Sequence, residues 1–334
     1  MKSKNLSDSI LKTVKSNGFK YIELPSVIEA NHIVQRSGES FRKFIFSFTD
    51  QGGNELCLRP DLTIVSCLRY LENNLKGKEK IFYNGQAYRK SENKKDSIVR
   101  NQVGFEIIGS RNEKNDDKEI INTSLKSLKN FNYSSGEITI GNVEIFNLLI
   151  SKLDIPKRWK LRLSRHFWRE DYFDDLLKRL ETNSDVDPTI VEIDKKRYFR
   201  MLKDDQSTII ANRTINEILN RFDKKIKDPR RPSKGRNISK IIKEFLKIKC
   251  PINNAAKVLN KFFKKYKINK LNVTFSAAFG RQLEYYTGMV FKIDIKSKSK
   301  IINCCNGGRY DKLISDLGSK KQTPAVGAAL NLVN

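Results

Sequence analysis

A chain of 334 residues with 38% hydrophobic and 10% aromatic residues can bury a large core, as one large domain or two. No run of uncharged apolar residues is long enough to span a membrane, and the polar start MKSKNLSDSILKTVKSNGF lacks the apolar stretch of a signal peptide, so the expected location is the cytoplasm. The net charge of +27, from 65 Lys+Arg against 38 Asp+Glu, invites a nucleic-acid partner, but the lysines are spread beside Asn and Ile as solvated faces, which argues against one.

In chain order, residues 5–17 read as an amphipathic helix stopped by Gly18, and residues 19–25 as a strand or extended arm. Residues 43–49 and 55–59 alternate around the turn 50–54 and predict a hairpin. Asp61 is placed to cap a helix running to about residue 74. Strands are expected over 80–89 and 100–109, joined by the polar loop 90–99, then a helix over 115–130, a strand over 137–140 and a helix over 143–153. From residue 156 to about 266 the helical period dominates and the strand signal vanishes. Within it, residues 224–236 (KKIKDPRRPSKGR) are the densest basic run; two prolines and a glycine mark an exposed loop, the one place to look for a polyanion.

Strands resume over 271–278. The run from Arg281 to Tyr310 then reads as a hairpin, with Tyr285, Tyr286 and Gly288 before its first strand and Gly307 and Gly308 closing the second. Its arginine and paired phenols could hold a small zwitterion, or the tyrosines could simply be core. The expected fold is α+β, a mostly antiparallel sheet flanked by helices over 1–155 and 269–334, with a helical insertion over 156–268. Cys57, Cys67, Cys250, Cys304 and Cys305 form no CxxC pair, and His32 and His166 are the only histidines, so neither a metal site nor a histidine-based triad is expected. There is no Gly-rich phosphate loop.

Six segments, LRPDLT (58–63), GQAYRKSE (85–92), QVGFEIIG (102–109), RQLEYYTG (281–288), GGRYD (307–311) and TPAVGAAL (323–330), occur in the order and register of the histidyl-tRNA synthetase family, and the resemblance covers the class II synthetase core over most of the chain. It implies a class II synthetase-like sheet and a histidine pocket built from Asp61, Thr63, Gln102, Glu106, Arg281, Tyr285 and Tyr286, with Arg89 surviving beside it. Equally, those polar residues could merely satisfy one another in an inherited pocket.

The nucleotide side departs from the family pattern. Aligned from Gly327, the helix motif GxAxGLER has Asn331 at its inner glycine, Val333 at its acid and Asn334 at its arginine, and the basic motif 2 loop becomes the shorter NKKDSIVR of residues 93–100. Adenylate formation is therefore not expected, nor a catalytic residue or a cofactor. No anticodon-binding domain is expected after Asn334.

The segments GNVEIFNLLISKLDIPKRWKLRLSRHFWR (141–169) and FGRQLEYYTGMVF (279–291) resemble the regulatory branch of the family, the ATP phosphoribosyltransferase regulatory subunits. That resemblance implies a subunit without chemistry of its own, paired with the short-form catalytic subunit in a hetero-oligomer for the first step of histidine biosynthesis, with L-histidine as feedback effector. Residues 24–29 (LPSVIE) resemble motif 1 and imply a homodimer. The rival expectations are a truncated histidyl-tRNA synthetase-like enzyme that activates an amino acid, and a tRNA-binding module using the basic loop.

Overall fold

The computed structural model describes residues 2–37, 39–90, 97–131, 133–182, 209–210, 213–214, 216–217, 220, 234–251, 271–279, 285–297 and 300–332. They fall into two units, Met1–Phe146 with Lys247–Asn334, and Asn147–Leu246.

The first unit begins with α1 (Lys2–Ser16), ended by Gly18 at a φ of 83°, the left-handed conformation that glycine takes without strain, and followed by β1 (Lys20–Tyr21). Next come β2 (Val27–Glu29), α2 (Ala30–Ser37), β3 (Ser47–Thr49) and β4 (Glu55–Leu58), with the three strands paired antiparallel in the order β2-β4-β3. The chain continues through α3 (Leu62–Glu72), β5 (Glu79–Tyr88), β6 (Val99–Ile108), α4 (Glu113–Leu128), β7 (Ser135–Asn142) and α5 (Val143–Lys152), which belongs to the second unit from Asn147 on.

The second unit holds α6 (Lys157–Arg165), α7 (Glu170–Thr182), the two-residue strands β8 (Ile209–Ile210) and β9 (Arg213–Thr214), and α8 (Gly235–Leu246). Trp159, Leu163, Phe167, Phe173, Leu176, Leu180, Ile238 and Ile242 are among its buried apolar residues, at helical spacing. Glu181 on α7 accepts hydrogen bonds from Ser239 (3.0 Å) and Lys243 (2.6 Å) on α8.

Back in the first unit, the chain runs through β10 (Lys249–Pro251), β11 (Leu271–Ser276), β12 (Met289–Ser297), β13 (Lys300–Arg309), α9 (Leu313–Asp316) and β14 (Ala325–Asn331). A nine-stranded sheet results, in the order β1-β5-β6-β14-β13-β12-β7-β11-β10.

The sheet is mostly antiparallel, as expected: six of its eight strand pairings are antiparallel, while β1 runs parallel to β5 and β11 parallel to β7. A tight hairpin cannot make a parallel pair, and both pairs are joined by long excursions of the chain. One expectation is corrected: strands occur within the run read as wholly helical, β8, β9 and β10, each too short to register as a period. The basic run 224–236 lies outside the described residues up to 233; Lys234 precedes α8, and Gly235 opens it. Ala325–Asn331 is a central strand, extended throughout.

The two-residue alternation of the strands sorts the apolar side chains into two cores. On one face Val103, Phe105, Phe291, Ile293 and Val326 pack with Ile10, Val14, Ile120 and Leu125 of α1 and α4, and Cys304 and Cys305 are buried among them. On the other, Ile81, Tyr83, Ile108 and Tyr310 pack with Leu62, Val65 and Leu68 of α3, with Cys57 and Cys67 inside that core. Gln102, Gly104 and Glu106 alternate with Val103 and Phe105, so they belong to this second face. Among the described residues no helix is long and apolar enough to cross a membrane.

Candidate functional site

Three glycines pave the centre of the second face. Gly327 on β14 lies directly opposite Glu106 on β6 and Gly308 on β13, and Gly104 lies opposite Tyr83 on β5. A Cβ on Gly327 would sit 1.3 Å from Glu106 Oε2, one on Gly104 2.3 Å from the Tyr83 ring, and one on Gly308 2.7 Å from the Tyr286 ring. The bare floor is therefore the space in which a carboxylate and two aromatic rings lie.

Glu106 is fully buried. Its Oε1 accepts hydrogen bonds from Tyr83 Oη at 2.6 Å and Thr63 Oγ1 at 3.0 Å, and its Oε2 accepts one from Tyr310 Oη. Burial pushes the carboxyl up to about 7 although the three hydroxyls pull the other way. The phenols of Tyr83 and Tyr310 are pushed well up, by burial first and by the nearby carboxylate second, so they stay protonated donors. Because each hydroxyl spends its proton on Glu106, the oxygen of each is left as an acceptor.

Asp61 is the N-cap of α3: Oδ1 accepts from the Ile64 N–H at 2.9 Å, while Oδ2 receives Tyr285 Oη at 3.3 Å and Arg89 Nη2 at 3.4 Å. Arg89 Nε donates to the Pro60 carbonyl at 2.7 Å. The cap holds this carboxylate in place whether or not a ligand is bound. Asp61→Ala is expected to cost about 1 kcal/mol of stability through the lost cap, whereas Asp61→Asn keeps the cap and removes only the charge. Denaturant melts of the two variants separate these effects.

The Asp61 loop is anchored by buried Arg59, which donates to the carbonyls of Gln86 (2.8 Å), Leu24 and Pro25 (3.0 Å). Arg59→Met strands those acceptors and is expected to destabilise the protein by about 3 kcal/mol, read as a fall in the denaturation midpoint. Buried Arg309 does similar work for the tyrosines. It pairs with Asp117 at 2.6 Å and Asp311 at 2.9 Å, and its carbonyl accepts from the Thr287 N–H at 2.8 Å. The rings of Tyr285 and Tyr286 meet edge to face at 5.0 Å, and Tyr285 meets Tyr310 at 5.9 Å.

A polar chain crosses four neighbouring strands at the other end of the site. Gln102 Nε2 donates to Asn331 Oδ1 (2.9 Å), and Asn331 Nδ2 donates to the Asn303 carbonyl (3.2 Å). Asn303 Nδ2 then donates to Asp294 Oδ1 (2.8 Å), whose other oxygen pairs with Lys292 Nζ (2.6 Å).

The Asp61 loop, the tyrosines and the polar chain line a cleft of about 430 Å³. Of the residues expected from sequence, Asp61, Thr63, Arg89, Gln102, Tyr285 and Tyr286 line it. Glu106 lies behind the wall, reached through the hydroxyls of Thr63, Tyr83 and Tyr310, which do line it. Arg281 lies outside the described residues. Tyr83, Tyr310 and Asn303 were not anticipated; for Tyr83 the available signal was Gly104 facing its ring across the sheet, which appears only once the register is known. Among the described residues no group of three His, Cys, Asp or Glu side chains is arranged to hold a metal ion.

With helices on both faces of the sheet and the cleft at its glycine-paved centre, the fold is that of the class II aminoacyl-tRNA synthetases. The family model described as Histidyl-tRNA synthetase matches residues 1–334, and the chain belongs to that family. Among curated proteins, the chain is 26% identical over 359 residues to the ATP phosphoribosyltransferase regulatory subunit of Allorhizobium ampelinum, covering 98% of this chain and 95% of that one. It is 27% identical over 345 residues to the protein of the same name from Agrobacterium fabrum, covering 92% and 90%. Among solved structures, an ATP phosphoribosyltransferase regulatory subunit/histidyl-tRNA synthetase from Bacillus halodurans superposes with a TM-score of 0.62 at 21% identity, covering 99% of this chain and 77% of that one. A histidine–tRNA ligase subunit from Alicyclobacillus acidocaldarius gives 0.58 at 19% identity, with 99% and 90% covered.

Proposed function

We propose that this chain is a cytoplasmic, non-catalytic regulatory subunit of ATP phosphoribosyltransferase, acting in histidine biosynthesis. It forms a homodimer, assembles with short-form catalytic subunits, and senses L-histidine in the cleft. The observation that carries the reading is the contrast between the two ends of that cleft. At one end Asp61 and the hydroxyls bonded to Glu106 present acceptors, suited to an ammonium and an imidazole N–H. At the other, the wall is an amide chain, Gln102 to Asn331 to Asn303, ending in a lysine already paired with Asp294, with Arg100 beside Gln102 as the one guanidinium there among the described residues. Amides do not neutralise a triphosphate as a guanidinium does. The names of the curated relatives support the subunit assignment.

Control by histidine is then a matter of linkage. If the ligand binds one quaternary state better than another, the ratio of affinities limits the shift, commonly to about 1–3 kcal/mol. The test is a phosphoribosyl-transfer assay of the short-form catalytic subunit with and without this chain, across an L-histidine series. Activity should require the chain and fall with histidine, while histidine-dependent ATP–pyrophosphate exchange by the chain alone stays at background. Exchange above background would overturn the reading in favour of an amino-acid-activating enzyme.

A further inference from the structure

Among the described residues, the second unit presents a helix face that carries an exposed apolar side chain. On α6, Trp159 and Leu163 are buried one turn apart, and the opposite stripe, Lys157, Leu161 and Arg165, is exposed at the same four-residue spacing. Leu161 is 61% exposed between the two cations, and Leu148 on α5 is 59% exposed. Lys160 Nζ donates to the Ser151 carbonyl at 2.6 Å, which ties the last turn of α5 to α6. Between Asp154 and Glu170 the chain carries six Lys and Arg and no acid.

From this pattern we infer that the α6 stripe, with Leu148, is the docking face for the catalytic partner, and that the partner's matching surface is an apolar socket rimmed by carboxylates. The inference rests on the subunit reading above. A buried apolar anchor inside a charged rim is the usual anatomy of a protein–protein hot spot, and the excess of cations calls for an acidic rim opposite. A nucleic acid fits less well. It would stack bases on exposed aromatic rings, whereas Trp159 and Phe167 are buried, Trp168 is half-buried with Arg169 over its ring, and the exposed apolar groups of α5 and α6 are the aliphatic Ile145, Leu148 and Leu161.

The test titrates the full chain with the short-form catalytic subunit, comparing wild type with Leu161→Glu, Leu161→Ala and Lys157→Glu/Arg165→Glu. Leu161→Glu should weaken the complex by about 30-fold or more, and Leu161→Ala by about tenfold. The double charge reversal should slow association and reduce its dependence on salt. Melting midpoints like that of wild type show that the variants are folded; should the glutamate variant fail that check, the alanine variant decides. Wild-type affinity in the leucine variants, with wild type itself binding, overturns the docking face and leaves the subunit reading intact. No complex between wild type and the catalytic subunit overturns both. Salt-sensitive binding of tRNA that is lost only in the charge-reversed variant, with the complex unaffected, would make the face a nucleic-acid surface and overturn the proposal.

Discussion

Gly327→Ala is expected to abolish L-histidine binding by calorimetry and to lower the unfolding free energy by about 3 kcal/mol. The added methyl would fall 1.3 Å from Glu106 Oε2, well inside contact distance. The carboxylate has nowhere to withdraw, because Thr63, Tyr83 and Tyr310 hold both of its oxygens. Either Glu106 swings out, leaving three hydroxyls without an acceptor, or β14 shifts against β6. The two sites form one unit, so a double-mutant cycle with Glu106→Ala should be strongly non-additive, with the second change recovering part of the lost stability but none of the binding. Additive losses would mean that the glycine matters for the strand alone.

The second large effect concerns the proton on Glu106. Its folded pKa of about 7 stands above the ordinary 4.5 because burial disfavours the charge. Below about pH 4.5 both folded and unfolded chains hold the proton, and the stabilising contribution is fully present. As pH rises towards 7 the unfolded chain releases a proton that the folded chain retains, so stability falls. Above 7 the folded carboxyl ionises as well, and the full penalty, about 3 kcal/mol, has accumulated. Glu106→Gln removes this titration, so its denaturation free energy should fall less than that of wild type between pH 4.5 and 8.

The same variant should bind L-histidine roughly tenfold or more weakly, because the amide N–H forces at least one hydroxyl to turn its proton towards the ligand. Wild-type affinity should also weaken as pH drops through about 7, when Glu106 takes up its proton and the hydroxyls lose their common acceptor. Gain in stability with loss of affinity would identify a buried charge retained for binding. Parallel pH profiles for wild type and variant would show that Glu106 is not the titrating group.

What could be read in advance was local. The cap at Asp61, the stop at Gly18 and the β12–β13 hairpin each depend on residues close in sequence, and each is found where its chemistry places it. The strand order was not legible, since the parallel pairs β1–β5 and β7–β11 join segments separated by long excursions. The same limit hid half of the site. Tyr83 and Glu106 converge only because the register sets Gly104 opposite the one and Gly327 opposite the other, a fact of pairing and not of composition. Asn303 was concealed differently: in a chain rich in Lys, Asn and Ile, one more asparagine carries no signal until its partners are seen. Arg59 sat in full view within LRPDLT, but its carbonyl acceptors lie in segments far along the chain, so its anchoring role had no sequence signature.

The distribution of thiols has a practical consequence. Cys304 and Cys305 lie in the core beneath α1 and α4, and Cys57 on β4 and Cys67 on α3 lie in the core of the other face, so either layer can be followed without introducing a label. Burial pushes Cys57 up to about 11 and Cys305 up to about 12, which keeps both unreactive at neutral pH while their surroundings stay closed. Pulse alkylation followed by peptide mapping would therefore time the opening of one layer against the other, and would show which of the two an effector tightens.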